Sequence, residues 1–516
     1  MDRSIRTAVE RSKTGADFLQ LDPAEAPAGG LSAWLAAKLR DAIADGRLPV
    51  GSRLPASRQL AAELHVSRGV VTEAYQRLSE NGQLVAYGRA GTLVAAVPEP
   101  LDPIPDAPVR PIPTAPLQTA ALFSAARGTG TLDLFRSAST TIDLSPGLPD
   151  LTAFPRSAWL RAERAVLSSF SASNLAYGDP CGAPVFRVAV SRWLARNRGI
   201  QVDPAELIIV AGVAQALALL ARVLAPSGIT RIAVEDPGSL GAREQLQAWG
   251  IRTPPVPVDS AGLVVEELHH STAAAVLLTP AHQFPTGVVL SGERRRELLA
   301  WTKQGGLIIE DDYDAEHRYD RPPVASLRAV APEQVCYAGS VSKLLAPALR
   351  VGWMLVPAQY RESVVAAKRD TDLGNAVLPQ LVLARLMESG DLERHLRLLR
   401  RRHQRRRDAM ITALSSQLPE AEIHGAAAGL HLMISFATAL SDVDLAAAAF
   451  DRGVKVQPLS WHCQMPHKPG LVLGYAANPV SMIEQGISLL ADSFGGLHTA
   501  SRSARIRKSE VSRARR

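Results

Sequence analysis

The chain has 516 residues and only three cysteines, Cys181, Cys336 and Cys463, far apart from one another. None forms a CxxC pair, so neither a zinc site nor a disulfide framework is indicated. No apolar run reaches the roughly 18 residues that a membrane span requires. The first residues are charged and lack the apolar stretch of a secretory leader, so a cytoplasmic chain is expected. No GxGxxG follows a strand-like run, which leaves a dinucleotide-dependent dehydrogenase without support. Ser340-Val-Ser-Lys343 formally satisfies S-x-x-K, but no SDN triplet occurs and Lys-Thr-Gly is found only at residues 13–15. A serine acyl-enzyme is rejected on those grounds.

What is present is ordinary in bulk and uneven in distribution. Apolar residues make up 47% and charged residues 21%, as in a typical globular protein. The length suggests about three domains. Of a formal net charge of +7, residues 501–516 hold +6, and residues 31–97 hold eight Lys/Arg against five acids. Basic ends on a nearly neutral body fit a polyanion partner, and a solvated disordered tail explains the last stretch equally well.

Four segments are legible. Residues 1–30 lack periodicity and are expected to be flexible. In residues 31–97, Leu31, Leu35, Leu39 and Ile43 recur at i+4 and read as a helix. A second helix starts at Ser57, read as its N-cap, and a third is capped by Ser67 after the turn at His65-Val66. Residues 84–97 alternate around Gly88 and Gly91 and read as a two-stranded wing. Eight prolines between 98 and 116 mark an extended linker, expected to run to 141. From 142 to 495, strand-like runs alternate with helices, which predicts an α/β domain with a mostly parallel sheet and a small α+β subdomain over about 395–495. Residues 496–516 are expected to be a basic disordered tail.

Two constellations carry chemistry. In the first, Lys343 lies in Tyr337-Ala-Gly-Ser340-Val-Ser342-Lys343, about 30 residues after Ile308-Ile-Glu-Asp311-Asp312-Tyr313. A lysine, a carboxylate, a phenol and a small-residue anion cradle are the groups that hold pyridoxal 5′-phosphate (PLP). Ala211-Gly212-Val213-Ala214 follows a strand and opens a helix, so its free N–H groups face an anion. Ser340, Ser342 and Arg350 support that cradle. The second constellation is the helical pair with its wing. Ser67, Arg68, Val70 and Thr72 stand in the first turns of the third helix, and Arg53, Ser57, Arg58 and Arg89 flank it. A guanidinium can span guanine O6 and N7, which makes Arg68 the first candidate for base readout.

Residues 31–97 resemble the GntR-type winged helix-turn-helix. Residues 142–494 resemble fold type I aminotransferases, and the order of head, linker and body is similar to that of MocR-family regulators. This resemblance implies that Lys343 carries the cofactor as an internal aldimine, that Asp311 pairs with the pyridine nitrogen and that Tyr313 bonds the ring oxygen. Asp312 faces the opposite side if the stretch is extended. It also implies that Tyr177 reaches the phosphate of a neighbouring subunit in a homodimer. His282, in Thr279-Pro-Ala-His282-Gln-Phe-Pro-Thr286-Gly287, either lines the site or caps the turn. Two positions depart from the resemblance. Ser239 stands where many relatives place a stacking aromatic, and Val472 where aminotransferases place the arginine that grips a substrate carboxylate. Two functions follow as expectations. One is a DNA-binding transcription regulator that senses PLP or an amino compound, with the pyridoxine-regulating branch as the candidate. The other is a working aminotransferase with an auxiliary head.

Overall fold

The computed structural model describes residues 21–27, 30–80, 83–86, 91–95, 119–124, 130–314, 316–319, 325–438 and 440–514. The Pro-rich run 98–116, Arg89, and residues 1–20 and 28–29 of the N-terminal segment lie outside them. The chain divides into two compact units, Met1–Thr114 and Ala115–Arg516.

The first unit follows the apolar periodicity. Helices α1 (Leu31–Ala44), α2 (Ser57–Glu63) and α3 (Arg68–Glu80) precede strands β1 (Leu84–Ala86) and β2 (Thr92–Val94), which pair antiparallel as the wing. Leu35, Leu39, Leu60, Val71, Ala74 and Leu78 close the core, and Leu21 packs against it from outside. The Tyr75 hydroxyl donates to the Pro55 carbonyl at 2.9 Å and ties α3 to the segment before α2. Ser67 accepts from Val70 N at 3.4 Å, as expected of a cap. Ser57 does not cap: it is the first residue of α2, and Ala56 occupies the cap position with no side-chain bond.

The second unit begins earlier than the sequence reading places it. Helices α4 (Thr119–Ser124) and α5 (Thr131–Ser137) fall in the stretch read as linker, yet Leu122, Phe123, Leu132 and Phe135 are buried in the body. Phe123 and Phe135 meet Trp461 with ring centroids 5.8 and 5.2 Å away. The short segment hid this because few apolar residues suffice when their partner is an aromatic far downstream, Trp461.

Next come β3 (Ile142–Asp143), α6 (Arg156–Ser169), α7 (Pro184–Arg198), β4 (Ile208–Val210), α8 (Val213–Leu224), β5 (Ile232–Asp236) and α9 (Leu240–Ala248). They lead to β6 (Pro255–Asp259), β7 (Gly262–Leu263), α10 (Val265–His270), β8 (Ala275–Leu278), α11 (Gly292–Thr302), β9 (Leu307–Asp312), β10 (Val335–Ser340) and β11 (Gly352–Leu355). Eight strands form one sheet in the order β4-β11-β10-β9-β8-β5-β6-β7. β10, β9, β8, β5 and β6 run parallel, while β11 is antiparallel to both its neighbours. Ile308 and Ile309 enter different cores on the two faces, as a doubly covered sheet requires. The sequence reading did not include β6, whose two prolines argue against a strand.

Helices α12 (Ala358–Asp372), α13 (Val377–Glu388) and α14 (Asp391–Gln417) lead to the small subdomain. There β12 (Ala421–His424), β13 (His431–Phe436), α15 (Asp442–Asp451), β14 (Val454–Lys455), β15 (Gln457–Pro458) and β16 (Gly470–Gly474) precede α16 (Val480–Ala514). Its antiparallel sheet has the order β12-β13-β16-β15, and β14 pairs with β3 from the start of the body. The small subdomain is thus discontinuous, and it shares a core with α4, α5 and β3. The tail expected to be disordered from 496 continues α16 to Ala514.

Phe135→Ala tests whether α5 belongs to the body. Deleting a fully buried ring should cost about 3–5 kcal/mol in denaturant unfolding of the body, against roughly 0.5 kcal/mol or less for a side chain on a loose linker.

Candidate functional site

Lys343 sits in the turn after β10. Val341, Leu344 and Leu345 are buried and fix that turn, and Leu344 N and Leu345 N donate to Val341 O at 3.1 and 2.9 Å. The Lys343 amine donates to the Gly147 carbonyl. Gly147 has φ +89, and a Cβ there would stand 3.2 Å from Nζ, so glycine permits the approach. Burial pushes the Lys343 amine down to about 8; Asp314 and Asp311 act against this, and Arg136 on α5 adds to it. An amine so lowered is deprotonated in a useful fraction at neutral pH and is a nucleophile.

β9 delivers the carboxylate. Asp311 pairs in register with Ala338 and Asp312 with Gly339 on β10, so the two acids point to opposite faces. Asp312 faces Arg198, which donates to it, and accepts from the Tyr337 hydroxyl at 2.5 Å. Asp311 has no such partner: its Oδ1 is buried without a hydrogen bond. Burial, with Asp312 and Asp314 nearby, pushes its carboxyl up to about 7. A half-buried carboxylate whose Oδ1 lacks a donor, on the Lys343 side of the sheet, fits the N–H of a pyridinium.

Tyr313 follows at the strand end, with its hydroxyl 3.0 Å from His282 Nδ1. The same nitrogen lies 2.9 Å from Asp314 Oδ2. Burial, and then Asp314 and Asp311, hold the phenol well above its ordinary value, so it remains an O–H donor. Burial raises Asp314, but His282, His431 and His317 outweigh it, and the carboxyl sits below the usual range. His282 therefore bridges Tyr313 and Asp314. Gly287 and Gly429 leave room for its ring, since a Cβ at Gly429 would fall 2.0 Å from Cε1.

The residues expected to form an anion cradle come from three strand ends. Gly212 has φ +86 at the start of α8, and no side chain caps the first N–H groups, those of Val213 and Ala214 among them. Arg350 donates to the Ala211 carbonyl, and its guanidinium lies 3.3 Å from where a Gly212 Cβ would be. Ser340 ends β10, and its Oγ accepts from Ser342 N at 3.4 Å. Glycines at 212 and 352 let β4 and β11 approach, a Cβ on Gly352 falling 3.0 Å from Gly212 Cα. Tyr177 is not brought to this cradle within the chain; it is 92% exposed.

Both departures have structural consequences. Ser239 accepts from Ala242 N at 3.3 Å and caps α9, so its hydroxyl is committed to the helix. Val472 is 0% exposed and packs with Met433, Leu459, Cys463 and Phe284. No cation stands at that position. Phe284, which sequence reasoning passed over inside the 279–287 loop, makes ring contacts with Tyr313, His431 and His462. Gly147, Asp314 and Arg136 were also missed. Asp314 could have been found from its place beside Tyr313; Arg136 was assigned to the linker.

In the head, Arg58, Ser67, Arg68 and Thr72 are exposed, and Ser57 is half-buried. Thr72 donates its hydroxyl back to Arg68 O at 2.9 Å, and Val70 is half-buried against the core. Arg53 bridges to Leu93, and its Nε lies 2.8 Å from a Gly91 Cβ position, so it braces the wing.

Comparison with known proteins agrees with both halves. Residues 140–470 match the aminotransferase class I and II family, and residues 31–94 match the gntR family of bacterial regulatory proteins. The probable rhizopine catabolism regulatory protein MocR of Rhizobium meliloti is 30% identical over 90% of this chain and 93% of its own. The pyridoxine biosynthesis transcriptional regulator PdxR of Corynebacterium glutamicum is 33% identical over 78% of this chain and 82% of its own. Among solved structures, the kynurenine aminotransferase of Pyrococcus horikoshii superposes with a TM-score of 0.65 at 26% identity, covering 71% of this chain and 93% of its own. PLP is the cofactor of this fold, and the residues around Lys343 and Asp311 fit it.

Two outcomes follow. Cofactor-free protein should take up PLP at a rate that rises with pH and levels off above about 8, with borohydride fixing the cofactor to Lys343 and none fixed in Lys343→Ala. A rate independent of pH across that range, or label on another lysine, contradicts the assignment. For the head, Arg68→Ala should lose about 1–3 kcal/mol of discrimination at one base pair, whereas Arg58→Ala should weaken binding evenly across sequences. Selection from a random duplex pool reads both.

Proposed function

The chain belongs to the MocR family of HTH-type transcriptional regulators, and we propose that occupancy of its Lys343 site sets how it engages an operator. The observation that carries this reading is the unpartnered Asp311 carboxylate in a fold of this family, on the same side of the sheet as the Lys343 amine. When bound, PLP supplies an electron-withdrawing ring. The residues of the chain then have separate tasks. Lys343 supplies the attaching nitrogen, Asp311 accepts from the ring nitrogen, and Tyr313 donates to the ring oxygen. Gly212, Val213, Ala214, Ser340, Ser342 and Arg350 hold the phosphate.

Val472 favours sensing over turnover. Transamination needs the substrate held in register for proton transfer at Lys343. A valine buried among Met433, Leu459, Cys463 and Phe284 cannot make the charge-assisted pair that grips a carboxylate. We therefore take the effector to be PLP itself rather than an amino acid. The likeness to a regulator named for pyridoxine biosynthesis supports that choice. The working unit is a homodimer. Tyr177 projects from the body, and Leu160, Leu167 and Leu175 are exposed with it, as fits an interface through which Tyr177 reaches the partner's phosphate. An operator as target implies the cytoplasm. No helix among the described residues is long and apolar enough to cross a membrane.

The test is binding to a duplex selected by the protein, with cofactor-free and PLP-loaded forms, followed by titration with common amino acids and 4-aminobutyrate. Loading should change affinity about 5- to 150-fold, the range of ordinary allosteric coupling, with no further response to amino compounds. Equal affinity of the two forms with a response to one amino acid overturns the choice of effector. Steady transfer of amino groups to a 2-oxo acid favours the aminotransferase reading instead.

A further inference from the structure

Helix α14 is 27 residues long and carries eight arginines. Five are committed within the body. Arg394 pairs with Asp391 at 2.6 Å, and Arg400 donates to Glu316 O at 3.4 Å. Arg402 and Arg406 both hold the buried Asp150, at 3.1 and 3.0 Å. Arg407 donates to Ala426 O at 2.8 Å and lies 4.8 Å over the Tyr319 ring. Arg397, Arg401 and Arg405 are different: all three are exposed, with no hydrogen bond or ion pair among the described residues. The acids of the helix do not neutralise them, because Asp391, Glu393 and Asp408 are bonded to Arg394, Arg196 and Arg407.

The spacing of the three is four residues each time, so they stand on one face at steps of about 6 Å. Like charges at i and i+4 repel and destabilise a helix, and no acid among the described residues is paired with these three. Such a row is complementary to a linear polyanion. Each strand of a duplex carries one charge per ~3.4 Å of axis, so a row about 12 Å long can meet two or three phosphates. In the proposed function the gntR-type head holds a duplex, which would raise the local concentration of DNA around the body.

We propose that Arg397, Arg401 and Arg405 form a second, sequence-independent contact with the phosphate backbone of the DNA that the head holds. The proposal rests on the reading of the chain as an operator-binding regulator. It adds the cofactor-binding body to the DNA-contacting surface of the protein.

The experiment uses full-length PLP-loaded protein and a duplex that the parent selects from a random-sequence pool. Affinity is measured against salt for the parent and for the triple variant Arg397→Gln, Arg401→Gln, Arg405→Gln. A control triple, Arg192→Gln, Arg296→Gln, Arg369→Gln, removes the same charge from exposed positions on α7, α11 and α12. Retention of PLP checks that each variant is folded. The stripe variant should show a log–log salt slope shallower by about 2–3, since each lost phosphate contact removes ~0.9. Its affinity near physiological salt should fall at least tenfold, with the ratio of selected to random duplex unchanged. The control should match the parent. An unchanged slope and affinity in the stripe variant overturns the proposal, as does an equal loss in the control. A parent that prefers no duplex, with a slope that still depends on the stripe, sinks the regulator reading but not the contact. A parent that binds no duplex even at low salt overturns both.

Discussion

The cofactor site depends on a buried ion network one residue away from it. Arg198 is almost fully buried at the end of α7, against Trp193, and donates to Asp312, while Glu316 and the Tyr337 hydroxyl complete the group. A buried arginine is tolerable only when its charge is met, and here two carboxylates meet it. Strand alternation does the rest. With Asp312 held on that side, Asp311 must face the other, where its Oδ1 is buried with no donor among the described residues. The cluster therefore fixes the register of β9 and leaves one carboxylate available for a ligand.

The proposed phosphate end obeys a different constraint, close approach of backbone. Gly212, Gly339 and Gly352 sit where β4, β10 and β11 converge; a side chain at 212 would crowd the Arg350 guanidinium, one at 339 the Trp353 ring, and one at 352 the backbone of Gly339 and Gly212. The converging strand ends carry Ser340 into the turn of Lys343 and bring Arg350 beside α8. Arg350 itself has φ +50, a conformation that costs a non-glycine residue about 1–3 kcal/mol and is kept where the surroundings over-determine it.

Much of this was legible because the informative groups are close in sequence. Lys343, Ser340, Ser342 and Arg350 lie within eleven residues, and Asp311 and Tyr313 are two apart. The opposite facing of Asp311 and Asp312 followed from period two alone. The head was legible for the same reason, its Ser67 cap, apolar spacing and wing being local. What failed depends on distant partners. Phe123 and Phe135 look like linker residues until Trp461 is beside them, and β6 is a strand despite two prolines because it lies next to β5 in a covered sheet. Ser57 has the composition of a cap, but the chain enters α2 one residue earlier. The intensely basic stretch of α14 gave no sign of which arginines are used internally, since their partners, Asp150 and Glu316, come from far upstream.

The bond between Lys343 and the Gly147 carbonyl has a chemical consequence. A free ammonium has three hydrogens and can spare one for that oxygen. Once its nitrogen is joined to the carbon of a ligand, it has at most one, and the geometry of the new bond directs it. Attachment would thus leave that nitrogen at most one hydrogen to offer the Gly147 carbonyl. Three residues further on, Asp150 is clasped by Arg402 and Arg406, on the helix whose outer face bears the unpaired arginines. Any change in that contact would fall in a short loop pinned through Asp150 to a 27-residue helix.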